Sequence, residues 1–170
     1  LNEALREQSA EKIALAIPLL EGAIRYDEHN EAALLDLGNA YSAIYRFEEA
    51  RSTIDRLLAF YPEYDKALNV KAYSYLMEAQ VKQDPQLLDQ SIAIFNQAIR
   101  SNVKFYTGYF NLGVCYAYKD DKNNAIYNLN QAIRYNGRYR PAYEKLAQVY
   151  EHCGDTDLAR SVRERMSRIP

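Results

Sequence analysis

One stretch of this chain comes back. Leu34–Pro62, LLDLGNAYSAIYRFEEARSTIDRLLAFYP, carries Leu37-Gly38 followed by Tyr41. Downstream the same set reads Leu112-Gly113 followed by Tyr116, and then Leu146-Ala147 followed by Tyr150. A weaker copy is Lys71-Ala72 followed by Tyr75. Nine residues after three of these tyrosines stands an alanine: Ala50, Ala125 and Ala159. Pro62 closes the first full copy, and Gly137 takes its place later. The unit is 34 residues long, over 31–64, 106–139 and 140 to the end. A period of this size marks stacked supersecondary units rather than a single irregular core.

Packing explains the pattern. Small residues at Gly38, Ala50, Gly113, Ala125, Ala132, Ala147 and Ala159 let two helices approach closely. Leu34, Leu37, Tyr41 and Ile54 fill the space around those contacts, at spacings that put them on one helical face. Pro62 cannot continue a helix and turns the chain into the next unit. A lone hairpin buries too little surface to fold, so copies must stack.

This pattern resembles the tetratricopeptide repeat, on Leu34, Leu37, Gly38, Tyr41, Ala50, Ile54 and Pro62, and again on Tyr109, Leu112, Gly113, Tyr116, Ala125, Leu129 and Ala132. The resemblance runs over roughly residues 14–169. It implies an all-α, right-handed α-solenoid of stacked antiparallel hairpins, about four and a half units in a single domain over 1–170. The expected units are a partial one at 1–30, then 31–64, 65–105, 106–139, and 140–170 with a capping last helix.

Three departures carry expectations of their own. Sixteen residues separate Tyr75 from Ser91 where other copies have nine, so both helices of the third unit should gain about one turn. Asp84 suits an N-cap there and Pro85 the first helical position. In the first unit, Ala16, Leu20 and Ala23 match a second helix, preceded by the short, degenerate LNEALREQSAEK. Pro18 fits if a helix begins a few residues earlier, and otherwise marks a kink. In the last helix Arg163 occupies the place of Ile54 and Leu129, as a cap would.

Composition narrows the function. The chain is 48% hydrophobic and 26% charged, as folded chains are. Its longest apolar run, Ile13 to Leu20, is too short to span a bilayer. The net charge of −2 does not favour nucleic acid. Residues 1–64 hold six Lys/Arg against twelve Asp/Glu, and the remainder fifteen against eleven. This asymmetry can steer a charged partner or simply solvate helix faces. The sequence begins at Leu1 without a signal-peptide pattern, which suits a mature form or an excised piece, cytoplasmic or periplasmic. His29 and His152 stand on different repeats without a ligand partner at helical spacing, and Cys115 reads as a small core residue. No catalytic residue, metal ligand set or cofactor loop is expected.

The resemblance further implies a concave groove lined by the first helix of each hairpin. Mapped here, its residues are Leu35, Asn39, Ser42, Asn69, Tyr73, Met77, Phe110, Val114, Ala117, Glu144, Gln148 and Glu151. Amides there can pair with a peptide backbone, and Tyr73, Met77, Phe110 and Val114 make an apolar floor. Some family members clamp a C-terminal carboxylate. Asn69, Asn111 and Lys145 match that clamp in part, but Tyr73 and Pro141 stand where it needs an asparagine and a lysine. The expected function is a non-catalytic scaffold or adaptor for a protein or peptide partner. The alternatives are a homo-oligomer formed through the N-terminal edge, and a regulatory region of a larger protein.

Overall fold

The computed structural model describes residues 2–169, with side chains from residue 11 onward. The described residues form α-helices and no strands. In order they are α1 (Asn2–Tyr26), α2 (Glu31–Ala43), α3 (Phe47–Phe60), α4 (Asp65–Lys82), α5 (Pro85–Ser101), α6 (Tyr106–Tyr118), α7 (Lys122–Tyr135), α8 (Arg140–His152) and α9 (Thr156–Ser167). Contacts group the chain into two compact units, 1–94 and 95–170. In the first, α2 packs on α1, α3 and α4. In the second, α7 packs on α6 and α8, and α8 on α9.

Two hairpins close on glycine. A Cβ at Gly38 would lie 2.7 Å from Ile54 Cγ1 and Cδ1, and one at Gly113 would lie 2.6 Å from Leu129 Cγ. Ile54 and Leu129 are fully buried, as are Ala50 and Ala125 one turn earlier. The helices therefore meet at backbone distance, and large side chains of one fill the space left by the other. Each unit has its own apolar cluster, around Leu34, Leu37 and Ile54 in the first and around Leu129, Leu146 and Val162 in the second.

Within three hairpins the turn is the same. The amide of Arg46 donates to Tyr41 O, that of Asp121 to Tyr116 O and that of Asp155 to Tyr150 O, each at 2.9 Å. The preceding residue is left-handed in every case: Tyr45 (φ 64), Asp120 (φ 58) and Gly154 (φ 84). This is the Schellman closure, in which a left-handed residue lets the chain satisfy the last carbonyls of the helix. The tyrosine whose side chain marks the repeat thus also supplies the carbonyl that ends its helix. Between hairpins, Asn30 caps α2 by accepting from Ala33 N at 3.0 Å.

α4 has 18 residues and α5 has 17, against 13 for α2, α6 and α8 and 14 for α3 and α7. Asp84 Oδ1 accepts from Gln86 N at 2.8 Å, and Pro85 opens α5. Ser91 is fully buried in the place of Ala50 and donates to Ala72 O at 2.8 Å. An ion pair pins α3 to α4. Arg51 Nη1 meets Glu78 Oε2 at 2.6 Å, its guanidinium lies 4.5 Å over the Tyr75 ring, and Lys82 Nζ meets the other Glu78 oxygen at 2.6 Å. Burial pushes the Glu78 carboxyl up, but the hydrogen bonds from Lys82 and Arg51 outweigh it and hold its pKa below the ordinary value.

Lys71, in the place of Leu37, reaches Asp55 Oδ1 at 2.6 Å with its stem packed. The first unit is corrected: α1 is one continuous helix through Pro18, not a degenerate helix before a second one. An internal proline costs a helix about 3 kcal/mol. Pro18 faces solvent, while Ile17 and Ile24 are buried and pack with α2, which offsets that cost. The side chains of 2–10 lie outside the described residues.

Gly113→Ala should destabilise the fold, because overpacking of about 1–3 kcal/mol exceeds the helix-propensity gain of about 1 kcal/mol. Gly154→Ala, with open space around it, should cost about 1 kcal/mol through its left-handed backbone alone. Gly137→Ala, 3.8 Å from its nearest neighbour, should be tolerated; urea unfolding of the three variants checks the order. The depressed Glu78 pKa means the native state binds this proton less readily than the unfolded chain does. Its stability contribution is therefore present above the unfolded carboxylate pKa, about 4.3, and lost as pH falls below it. Glu78→Gln should remove that part of the acid dependence and lower stability at neutral pH by about 2 kcal/mol, read from unfolding curves between pH 3 and 7.

Candidate functional site

In the first unit, α2 and α4 pack side by side and bring one half of the expected set together. Leu35, Asn69, Tyr73 and Met77 are half-buried, and Asn39 is exposed. Their spacing of four residues along each helix aligns them in two rows. Ser42 is corrected: it is fully buried and donates its hydroxyl to Gly38 O at 2.9 Å, so it has no surface for a partner. A hydroxyl in a helix interior commonly makes this bond to the carbonyl four residues back, and sequence spacing alone does not show it.

The other half lies in the second unit. Phe110, Val114 and Ala117 on α6 are half-buried, and Glu144, Gln148 and Glu151 on α8 are exposed. Phe110 meets the Tyr139 ring edge-on, with centroids 5.3 Å apart. Tyr106 meets the same ring at 5.0 Å, and burial together with the Tyr106 hydroxyl pushes the Tyr139 phenol up. Ala117 and Gln148 line a cavity of about 160 Å³ with Asp120, Lys122, Lys145 and His152. His152 Nε2 is 3.3 Å from Asp120 Oδ1, and two lysines face the same space.

Glu151 is engaged within its own hairpin. Arg163 of α9 grips it with both guanidinium nitrogens, Nη2 to Oε2 at 2.9 Å. Hydrogen bonding from Arg163 holds the Glu151 carboxyl below its usual value. Arg163 is itself exposed, in a place where Ile54 and Leu129 are fully buried. Cys115 is buried and Cys153 half-buried, both as free thiols. Among the described residues no three His, Cys, Asp or Glu gather as a metal site, and no helix is long and apolar enough to cross a membrane.

A second opening, of about 510 Å³, lies between α1 and α2 in the first unit. Ile13, Ala16, Leu19 and Leu20 line it from α1, and Asp36, Asn39, Ala40 and Ala43 from α2. Sequence reading marks Ala16 and Leu20 as repeat residues but passes over Leu19, which is 76% exposed. The available signal was positional, since Leu19 stands 34 residues before Thr53, a buried residue.

Residues 8–73 and 106–139 each match the family described as tetratricopeptide repeat, and together these spans make up more than half of the chain. No curated protein matches the sequence. Among solved structures, the chain is similar to a thermophilic tetratricopeptide-repeat protein of Thermus thermophilus. The TM-score is 0.84 at 19% identity, over 99% of this chain and 89% of that one. It is also similar to MamA, with TM-score 0.70 at 19% identity over 94% of this chain and 90% of that one. A MamA from Desulfovibrio magneticus gives TM-score 0.70 at 14% identity, over 98% and 93%. These likenesses show the fold: an all-α solenoid of helix hairpins.

Arg163→Ala should let the Glu151 carboxyl titrate at higher pH, followed by carboxyl carbon NMR. Because both groups are exposed, global stability should hardly move.

Proposed function

This chain belongs to the tetratricopeptide-repeat family, and from that membership we propose that it is a non-catalytic scaffold holding a segment of a partner protein on the first helices of its hairpins. The observation that carries this reading is the packing of α2 on α4, the first carrying exposed Asn39 and the second half-buried Tyr73 and Met77. An exposed amide both donates to and accepts from an extended peptide backbone. Tyr73 combines a large apolar ring with a polar tip, and Met77 adapts to irregular shapes. In the second unit Phe110, Val114 and Gln148 offer the same combination of apolar and amide groups. Repeat geometry supports it further: the second helices bury their own small-residue faces inside each hairpin, so the first helices are left to meet a partner.

The reading is tested with peptide ligands selected on the purified protein and then measured against variants. Tyr73→Ala with Asn39→Ala should weaken a ligand seated on the first unit at least about tenfold, as loss of an aromatic anchor does. Phe110→Ala with Gln148→Ala should do the same for one seated on the second. Ligands that bind all variants equally would move the binding surface away from these helices.

A further inference from the structure

The junctions between hairpins repeat, and one of them departs. Asn30 N donates to Asp27 O, Tyr64 N to Tyr61 O, Phe105 N to Asn102 O and Tyr139 N to Asn136 O, at 3.0–3.1 Å. At three of these turns the first residue is an Asp or Asn whose side chain accepts from the backbone two residues on. The donors are His29 N, Lys104 N and Arg138 N, at 3.0–3.1 Å. At the remaining turn Tyr61 stands in that place, 46% exposed, with Pro62 behind it to fix the backbone. Neither the turn nor the core calls for that ring.

Tyr61 instead walls an opening of about 300 Å³ in the first unit, together with Tyr64 and Glu31. The two rings stand at 73° with centroids 6.3 Å apart, so they form a corner. Burial, and after it the Glu31 carboxylate, pushes the Tyr64 phenol up, which puts that carboxylate beside the ring hydroxyl. Glu31 makes no ion pair among the described residues. His29 and Phe60, with ring centroids 4.4 Å apart, bring the neighbouring turn against this one.

We infer that this corner takes an organic cation, the guanidinium or alkylammonium head of a basic side chain on a partner protein. A cation within about 6 Å of a tyrosine ring centre is attracted to the negative face of the ring. Two rings set nearly at right angles offer that attraction from two sides, and the unpaired carboxylate neutralises the charge. A metal ion would need more ligands than one carboxylate supplies. An uncharged apolar group would strip water from Glu31 and give nothing back. The surroundings agree. Within three residues of Glu31, Tyr61 and Tyr64 the chain carries Glu28, Glu31, Glu63 and Asp65 against Lys66. Two rings and a carboxylate recognise a head group and nothing beyond it, so the rest of the ligand is held elsewhere, as a side chain is by its own backbone. The site is separate from the α2–α4 surface and does not rest on that reading.

The probes are tetramethylammonium and two capped peptides, Gly-Ser-Arg-Ser-Gly and Gly-Ser-Gln-Ser-Gly, followed by tyrosine ring NMR. Tetramethylammonium and the arginine peptide should shift the Tyr61 and Tyr64 signals saturably, and less tightly as salt rises. The glutamine peptide should not. Glu31→Gln and Tyr61→Leu should each weaken binding at least about fivefold, whereas Tyr61→Phe, which keeps the ring, should retain it. Tyr73→Ala should leave it unchanged. Glu31 and Tyr61 are exposed, so circular dichroism of these variants should match the wild type. The inference is overturned if neither cation saturates, if the glutamine peptide binds as well as the arginine peptide, or if Tyr61→Leu has no effect. Binding of tetramethylammonium alone would make the ligand a small quaternary ammonium and overturn the side-chain assignment. A sedimenting dimer that Glu31→Gln dissociates would assign the cation to a second copy of this chain instead of a partner.

Discussion

The approach of Gly38 to Ile54 and of Gly113 to Leu129 sets the separation of the two helices in each of those hairpins. Everything placed on those helices inherits that separation. With the small residue inside, the large apolar residues one turn away interdigitate and become fully buried. With the hairpin closed, its outer faces are fixed in direction. The polar and aromatic residues that could meet a partner are therefore positioned by a contact they do not make.

The ends of the helices are tied to the same residues. Tyr41, Tyr116 and Tyr150 each accept the closing hydrogen bond of their turn, so helix length and packing register are locked to one residue. The lengthened third hairpin breaks the period yet keeps this logic. Ser91 replaces the alanine and satisfies its hydroxyl on Ala72, and Asp84 caps the next helix. The Arg51–Glu78–Lys82 group then ties the added length of α4 to α3. The Tyr75 ring beneath the guanidinium holds that charge cluster in place from its apolar side.

Much of this was legible in the residues. The period, the small-residue contacts and the caps at Asp84 and Pro85 follow from local spacing and side-chain chemistry. Two readings did not. Ser42 looked available because the resemblance maps it onto the groove, but its burial depends on what α2 packs against. α1 looked like two pieces because Ala16, Leu20 and Ala23 match a second helix, with a short, degenerate segment before it and Pro18 within it. The chain tolerates that proline since its solvent-facing side carries the ring and its other side buries Ile17 and Ile24.

By itself, then, the sequence determined the repeat, its family and the helices that build it, because helix periodicity and turn chemistry are short-range properties. Only the tertiary structure decided which of the repeat positions are covered. Ala16, Leu19 and Leu20 carry the same register as residues that are buried in later hairpins, yet they line an open groove. Burial depends on the neighbour across the contact, and a residue's own identity does not say whether that neighbour is present.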